Sequence, residues 1–290
     1  MSKYIPSIRA VRSLSLGCFV AALACVNSSN AATILYGNNA SGSGDYVEKF
    51  DAVTGAKLAQ FQPSRGNGRG VVVVGNIVYS TVVNDNHIYK TDATTGLSLG
   101  SITTTNASMS TLAWDGTYFW TTDYAGTNRG FQIDPTTGLN VKTVSFGLAS
   151  YYMDGMEYFD SKLIVNREDA GYVYDIYDTN GVLITASFIT TSYRSTGIAY
   201  DGTDFFVSDI FNNKIHQYSG LTGLEIGTGL TLGGPNPPDG YRLLEDLSVD
   251  YETRQDTGHG VADATSTLAL LGLSVMGLLV SKRRLTKQQA

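Results

Sequence analysis

From residue 32 to about residue 252 the chain is a succession of short apolar runs broken by polar clusters. ILYGN, YVEKF, VVVVG, TYFWTT, GFQID, KLIVN, GIAY, DFFVSD and KIHQY are examples. None of this body sustains a 3.6-residue apolar period, and the runs are rich in Val, Ile, Tyr, Phe and Thr, so they predict strands rather than helices. Gly, Asn and Asp punctuate them at regular spacing, the pattern of an all-β fold.

The punctuation itself repeats. DAVTG (51–55), DATTG (92–96), DPTTG (134–138), DTNG (178–181) and SGLTG (219–223) begin 41, 42, 44 and 41 residues apart. A period in the low forties, carried by strands, matches the four-stranded blades of a propeller. The third unit shows the plan: STLAW, the turn Asp115-Gly116, then TYFWTTD, GFQID, the PTTG turn and LNVKTVSF. Asp-Gly between two apolar runs predicts a type I′ hairpin turn, at Asp201-Gly202 in the fifth unit also, with Gly75-Asn76 and Asp160-Ser161 in the same place elsewhere. D-x-x-T-G is then the turn between the third and fourth strands: Asp bonds the turn amides and Gly supplies the left-handed residue. The first unit has only three runs, and LLEDLSVDYE (243–252) looks like a first strand with no unit after it. Placing that strand in the first unit gives five complete blades and leaves no open edge. Within the fifth unit, FFVSDIFNNKIHQY resembles the NHL and YVTN-type propeller repeats, in which a strand, an Asp and an Asn-Asn turn precede the next strand.

The ends differ in kind from the body. Residues 1–31 carry Lys3, Arg9 and Arg12, then LSLGCFVAALACV, then the small-x-small site Ser29-Asn30-Ala31, the order of a secretory signal peptide cut after Ala31. Ala22-Leu23-Ala24-Cys25 resembles a bacterial lipobox without its usual leucine, a second processing route. Cys18 and Cys25 are the chain's two cysteines, so cleavage after Ala31 leaves a body held without disulfides. After a linker at 253–262, Ala264–Ser281 is uncharged over 18 residues and is followed by Lys282, Arg283 and Arg284. As a helix it is about 27 Å long, a short membrane span with its basic end on the cytoplasmic side.

This tail (263–290), with the start of its motif at the end of the linker, resembles the PEP-CTERM sorting signals, most closely the VPDSG-CTERM variety, through Val261, Asp263, Ser266 and Thr267, the apolar run, and Arg283 and Arg284. Ala262 stands where that family has proline. The resemblance implies a bacterial protein that is exported, anchored through its C-terminal helix, and processed by an exosortase-like enzyme for attachment at the cell surface or release.

Charge narrows the partners. Residues 32–260 hold 13 Lys and Arg against 25 Asp and Glu, a net charge of −12, which excludes a phosphate backbone as partner. Polysaccharide or another surface protein fits better. On a propeller, the loops between second and third strands and those between blades share one face. The first set starts at Asn38, Asn84, Asp123, Asn166 and Asp209, either a polar ring for a cation or a hydroxyl-rich ligand or a set of turn starters. The second carries Arg65, Asn67 and Arg69, Tyr151, Tyr152 and Asp154, Tyr193 and Arg194, and Tyr241 and Arg242, whose rings and guanidinium forks either suit sugars, carboxylates or a protein surface or pack between neighbouring blades. No H-E-x-x-H or G-x-S-x-G pattern is present, and no cofactor or metal is expected. The alternative is a glycosidase-like enzyme using Asp123, Glu168 and Asp209 as channel carboxylates; a non-enzymatic binding module is the primary expectation.

Overall fold

The computed structural model describes residues 33–40, 46–61, 66–124, 126–147, 152–167, 172–233 and 243–254. The expected signal peptide with Ala31, the sorting tail from Val261 to Arg284, and Arg65, Tyr151, Glu168, Tyr241 and Arg242 lie outside them. Among the described residues no helix is long and apolar enough to cross a membrane.

Five antiparallel four-stranded sheets form a five-bladed β-propeller. Blade one is β1 (Ile34–Asn39), β2 (Val47–Asp51) and β3 (Lys57–Phe61), with β20 (Leu244–Ser248) paired to β1 from the far end of the chain. Blade two is β4 (Gly68–Val74), β5 (Ile77–Val82), β6 (His87–Asp92) and β7 (Ser98–Thr103). Blade three follows with β8 (Ala113–Trp114), β9 (Phe119–Thr122), β10 (Arg129–Ile133) and β11 (Asn140–Ser145). Blade four has β12 (Met156–Phe159), β13 (Lys162–Arg167), β14 (Val173–Asp178) and β15 (Leu183–Thr190). Blade five has β16 (Ser195–Tyr200), β17 (Asp204–Asp209), β18 (Lys214–Ser219) and β19 (Glu225–Thr231). The inner strands touch in a closed circuit, β20 to β4 to β8 to β12 to β16 and back to β20. Burial follows that geometry: β16 and β20 are wholly buried, whereas β7 and β11 are largely exposed.

The core is divided into five apolar clusters, one at each blade interface. Strand alternation decides which cluster a residue joins. In β17, Phe205 and Val207 face blade four while Phe206 faces blade one. In β4, Val71 and Val73 face blade one and Val72 faces blade three. A strand covered on both faces needs no polar alternation, which explains the VVVV run.

The D-x-x-T-G turns are built as their residues require. The Oδ1 atoms of Asp51, Asp92 and Asp134 each accept two turn amides at 2.7–2.9 Å, and Gly55, Gly96 and Gly138 have φ near +71 to +72°. The Asp-Gly turns differ from the type I′ expectation. Asp115 and Asp201 do not adopt positive φ; each accepts the amides two and three residues on, and only Gly116 and Gly202 are left-handed. A carboxylate that can bond the turn amides opens the hairpin to a longer Asx-type turn. Asp160-Ser161 has positive φ at both positions, as a type I′ turn requires.

At the axis the inner strands approach too closely for side chains at three glycines. A Cβ on Gly70 would lie 2.5 Å from the Thr111 carbonyl carbon, one on Gly197 2.5 Å from Asp246 Cα, and one on Gly155 1.8 Å from the Thr196 carbonyl oxygen. Gly155→Ala therefore forces two backbones apart and is expected to cost about 1–3 kcal/mol, read as a lowered urea midpoint; an unchanged midpoint would show that the waist can widen freely.

The seam is held by a ladder of side chains. Asp246 Oδ2, Ser248 Oγ and Asp250 Oδ1 accept the amides of Val71 (2.9 Å), Val73 (3.1 Å) and Gly75 (2.8 Å), two residues apart on each side. The same Asp246 oxygen accepts the Leu112 amide at 3.0 Å, so one carboxyl joins the inner strands of blades one, two and three. Beyond β20 the chain passes under the channel. The Tyr251 hydroxyl accepts from the Trp114 amide and donates to Glu157 Oε1, and Arg254 Nη1 reaches Glu157 Oε1 at 3.3 Å and the Tyr158 carbonyl at 3.0 Å. The segment thus ties blades three and four to the clasp.

Candidate functional site

Strand direction puts the blade-to-blade connections and the second-to-third strand loops at one end of the channel, the upper face, and the tight turns at the other. At the upper mouth the starts of the inner strands bring polar side chains together. Arg69 Nη1 lies 3.2 Å from Glu245 Oε2, and both residues are buried. The Arg69 guanidinium also lies over the Tyr124 ring, 4.3 Å from its centroid, a geometry suited to a planar cation. Tyr124 in turn packs against Tyr152 at 5.2 Å, and Tyr152 is 49% exposed.

Asp154 is buried beside this pair and accepts a hydrogen bond from Ser110 Oγ at 2.8 Å. Burial pushes its carboxyl up from the ordinary range, against the Ser110 hydroxyl and the charges of Arg69 and Arg194, which favour ionisation. Three blade-to-blade connections therefore contribute Ser110, Asp154 and Arg194, and the starts of β4 and β20 contribute Arg69 and Glu245. The arrangement sets two guanidinium groups against two carboxyls, with Tyr152 at the rim.

The expected site residues separate under this geometry. Arg69, Tyr152 and Arg194 join Asp154 at the mouth. Tyr193 turns elsewhere: its ring stacks on His216 at 4.2 Å, and its hydroxyl pairs with that of Tyr218 at 2.8 Å. Asn67 adopts positive φ in the connection ahead of β4.

Of the second-strand positions, Asn38 and Asn166 are fully buried. Asn38 Nδ2 donates to the Gly70 and Thr81 carbonyls at 2.9 and 3.1 Å, and Asn166 Nδ2 to the Ser195 carbonyl at 2.7 Å, so each grips the next blade. Asn84 is an exposed left-handed turn residue, φ 53°. Asp123 accepts the Thr127 hydroxyl and amide across its loop. Asp209 accepts Asn212 Nδ2 at 2.8 Å and the Phe211 amide at 3.3 Å, with His216 Nε2 at 3.9 Å. Burial opposes its charge, but His216, Asn212 and the Phe211 amide together hold the carboxyl below the usual range.

Glu245, Ser110 and Tyr124 went unnoticed in the sequence. The two adjacent acids interrupting the apolar run LLEDLSV were the available signal, since a buried carboxylate requires a partner. Among the described residues no three His, Cys, Asp or Glu side chains gather as a metal site.

No family model and no curated protein matches the sequence. The fold is similar to that of a chain in the crystal structure of the nidogen/laminin complex, with a TM-score of 0.51 and 10% identity over 76% of this chain and 98% of that one. The glutaminyl cyclase of Myxococcus xanthus is also similar, with a TM-score of 0.47 and 13% identity over 57% of this chain and 71% of that one. At 10% identity the first likeness establishes the propeller fold and nothing finer.

Proposed function

We propose that this protein is an exported, surface-associated propeller that acts as a binding module for matrix polysaccharide or another surface protein, sorted through its C-terminal signal. The convergence of Arg69, Ser110, Asp154 and Glu245 beneath the exposed Tyr152, at the mouth of a channel whose waist Asp246 crosses, carries this reading. Such a mouth offers an aromatic rim over a fixed polar floor, and its carboxylates already have partners. Asp123 and Asp209 likewise serve their own loops, which weighs against the glycosidase-like alternative. A propeller of similar fold occurs in the nidogen/laminin complex, a precedent for protein binding by such a disc. Both described ends of the body, Thr33 before β1 and Arg254 after the clasp, lie on the lower face.

The test is a polysaccharide and surface-protein array probed with the full-length chain, coupled to mass spectrometry of the ligands. Binding without cleavage, weakened roughly tenfold or more by Tyr152→Ala at a rim position of this kind, is the expected result. Cleaved products, or binding indifferent to Tyr152→Ala and Arg69→Ala, would reject the reading.

A further inference from the structure

The lower face carries a cleft of about 470 Å³ between the clasp and blades two to four. Its walls include Trp114, Tyr158 and Tyr251, together with Arg254, Glu252 and Asp115. These groups differ in how far the protein has already engaged them. Asp115 is saturated: its oxygens accept the amides of Thr117 and Tyr118, the Trp120 indole N–H and Gln132 Nε2. Arg254 is paired with Glu157 and packs over Tyr251 at 4.5 Å and Tyr200 at 5.6 Å. The Glu252 carboxylate, the Tyr158 hydroxyl and the Trp114 indole N–H have no hydrogen-bond partner among the described residues. The exposed edge of the cleft therefore offers one acceptor and two amphipathic ring edges beside apolar ring faces.

That combination selects a chemical class. An anion meets Glu252 and a body of net charge −12. A cation meets the guanidinium of Arg254 in the same cleft wall. A purely apolar ligand leaves Glu252 and the indole N–H facing it without partners. A neutral pyranose has an apolar C–H face to lie on an aromatic ring and hydroxyls around its perimeter to donate to a carboxylate and accept from an indole. We infer that the cleft formed by Trp114, Tyr158, Tyr251 and Glu252 is a binding site for a neutral sugar unit, separate from the upper mouth. It gives the sugar-binding form of the proposed function a second point of attachment, on the face opposite Tyr152, and stands whether or not the mouth binds anything.

The chain supplies its own reporter. Of its two tryptophans, Trp120 is fully buried and Trp114 lines the cleft. Intrinsic fluorescence of the full-length chain is titrated with cellotetraose, maltotetraose and mannotetraose. A saturable change with at least one of them is expected. Glu252→Ala, an exposed position, is expected to raise its Kd roughly three- to tenfold, the range of one hydrogen bond. Tyr152→Ala, on the opposite face, leaves it unchanged. No saturable change with any of the three sugars, or a change that Glu252→Ala does not weaken, or one that Tyr152→Ala abolishes, overturns the inference. Array binding that depends on Tyr152 reports on the upper mouth alone, so the two readings fail separately.

Discussion

Replacing Asp246 by alanine is expected to destabilise the propeller by about 3–5 kcal/mol. Its carboxyl is fully buried and accepts three amides, those of Val71 at 2.9 Å, Leu112 at 3.0 Å and Leu247 at 3.0 Å. Truncation leaves these donors in a space too narrow for easy solvation, and each orphaned buried amide costs about 1–3 kcal/mol. Val71 and Leu112 belong to different blades, so the loss falls on ring closure rather than on one sheet. Asp246→Asn keeps one carbonyl oxygen for Val71 and Leu112 but turns an N–H₂ against the Leu247 N–H, donor against donor, so it is expected to cost about 1–3 kcal/mol, less than the alanine. Ser248→Ala, one rung along the same ladder, removes a single acceptor from Val73 and is expected to cost a similar amount. Urea titrations of the three variants check the order. An alanine variant within 1 kcal/mol of the parent would show that the waist does not depend on this carboxyl.

The same residue marks how far the sequence could be read. The repeat was legible because each D-x-x-T-G turn is a local object: Asp51 and Gly55 satisfy each other's turn within five residues. The closing strand was legible as well, since LLEDLSVDYE is an apolar run without a unit of its own, and β20 takes that place beside β1. The ladder was not. Asp246, Ser248 and Asp250 meet partners 175 residues away in sequence, and nothing in either segment names the other.

The site shows the same division. The blade-to-blade loops were placed at one face from the repeat alone, and Arg69, Tyr152 and Asp154 are found together there. Tyr193 sat in an equivalent loop but stacks on His216. Loop membership fixes the face a residue starts from, whereas the direction of its ring depends on the neighbouring blade. Asn38 and Asn166 make the point from the other side: their buried donors hold the Gly70 and Ser195 carbonyls of the next blade, a use that period and composition cannot distinguish from a ligand ring.

Stability is expected to fall by a few kcal/mol as pH rises from about 5 to about 8.5, with Glu157 as the main cause. Burial pushes the Glu157 carboxyl up to about 8 from its ordinary 4.5, even though Arg254, the Tyr251 hydroxyl and the Tyr158 amide all favour its charge. An acid whose folded pKa is raised binds its proton more tightly when folded. Its contribution is therefore complete below about pH 4.5 and is lost as pH climbs through about 8. Asp154 and Asp246, both raised by burial, act in the same direction. So does His216: burial opposes its charge, but Asp209 and Glu225 together raise its pKa, and its contribution is present below about 6.5 and lost above the folded value. The turn aspartates Asp51, Asp92, Asp134 and Asp178 are lowered by their amide bonds and matter only in acid, below about 3.8. Glu157→Gln keeps an acceptor for Tyr251 and Arg254 and removes the titration. It is expected to be the less stable protein at pH 5, to match or exceed the parent at pH 8.5, and to flatten most of the slope between. Urea midpoints across that range decide the matter: a parent whose stability is flat or rises with pH, or a glutamine variant with the parent's slope, would exclude Glu157 as the cause. Because Glu157 is the common partner of Tyr251 and Arg254, the loosening should begin at the clasp. Faster exchange of the Tyr251 and Gly75 amides, which bond Val73 and Asp250 across the seam, is expected at pH values where the outer strands are still protected.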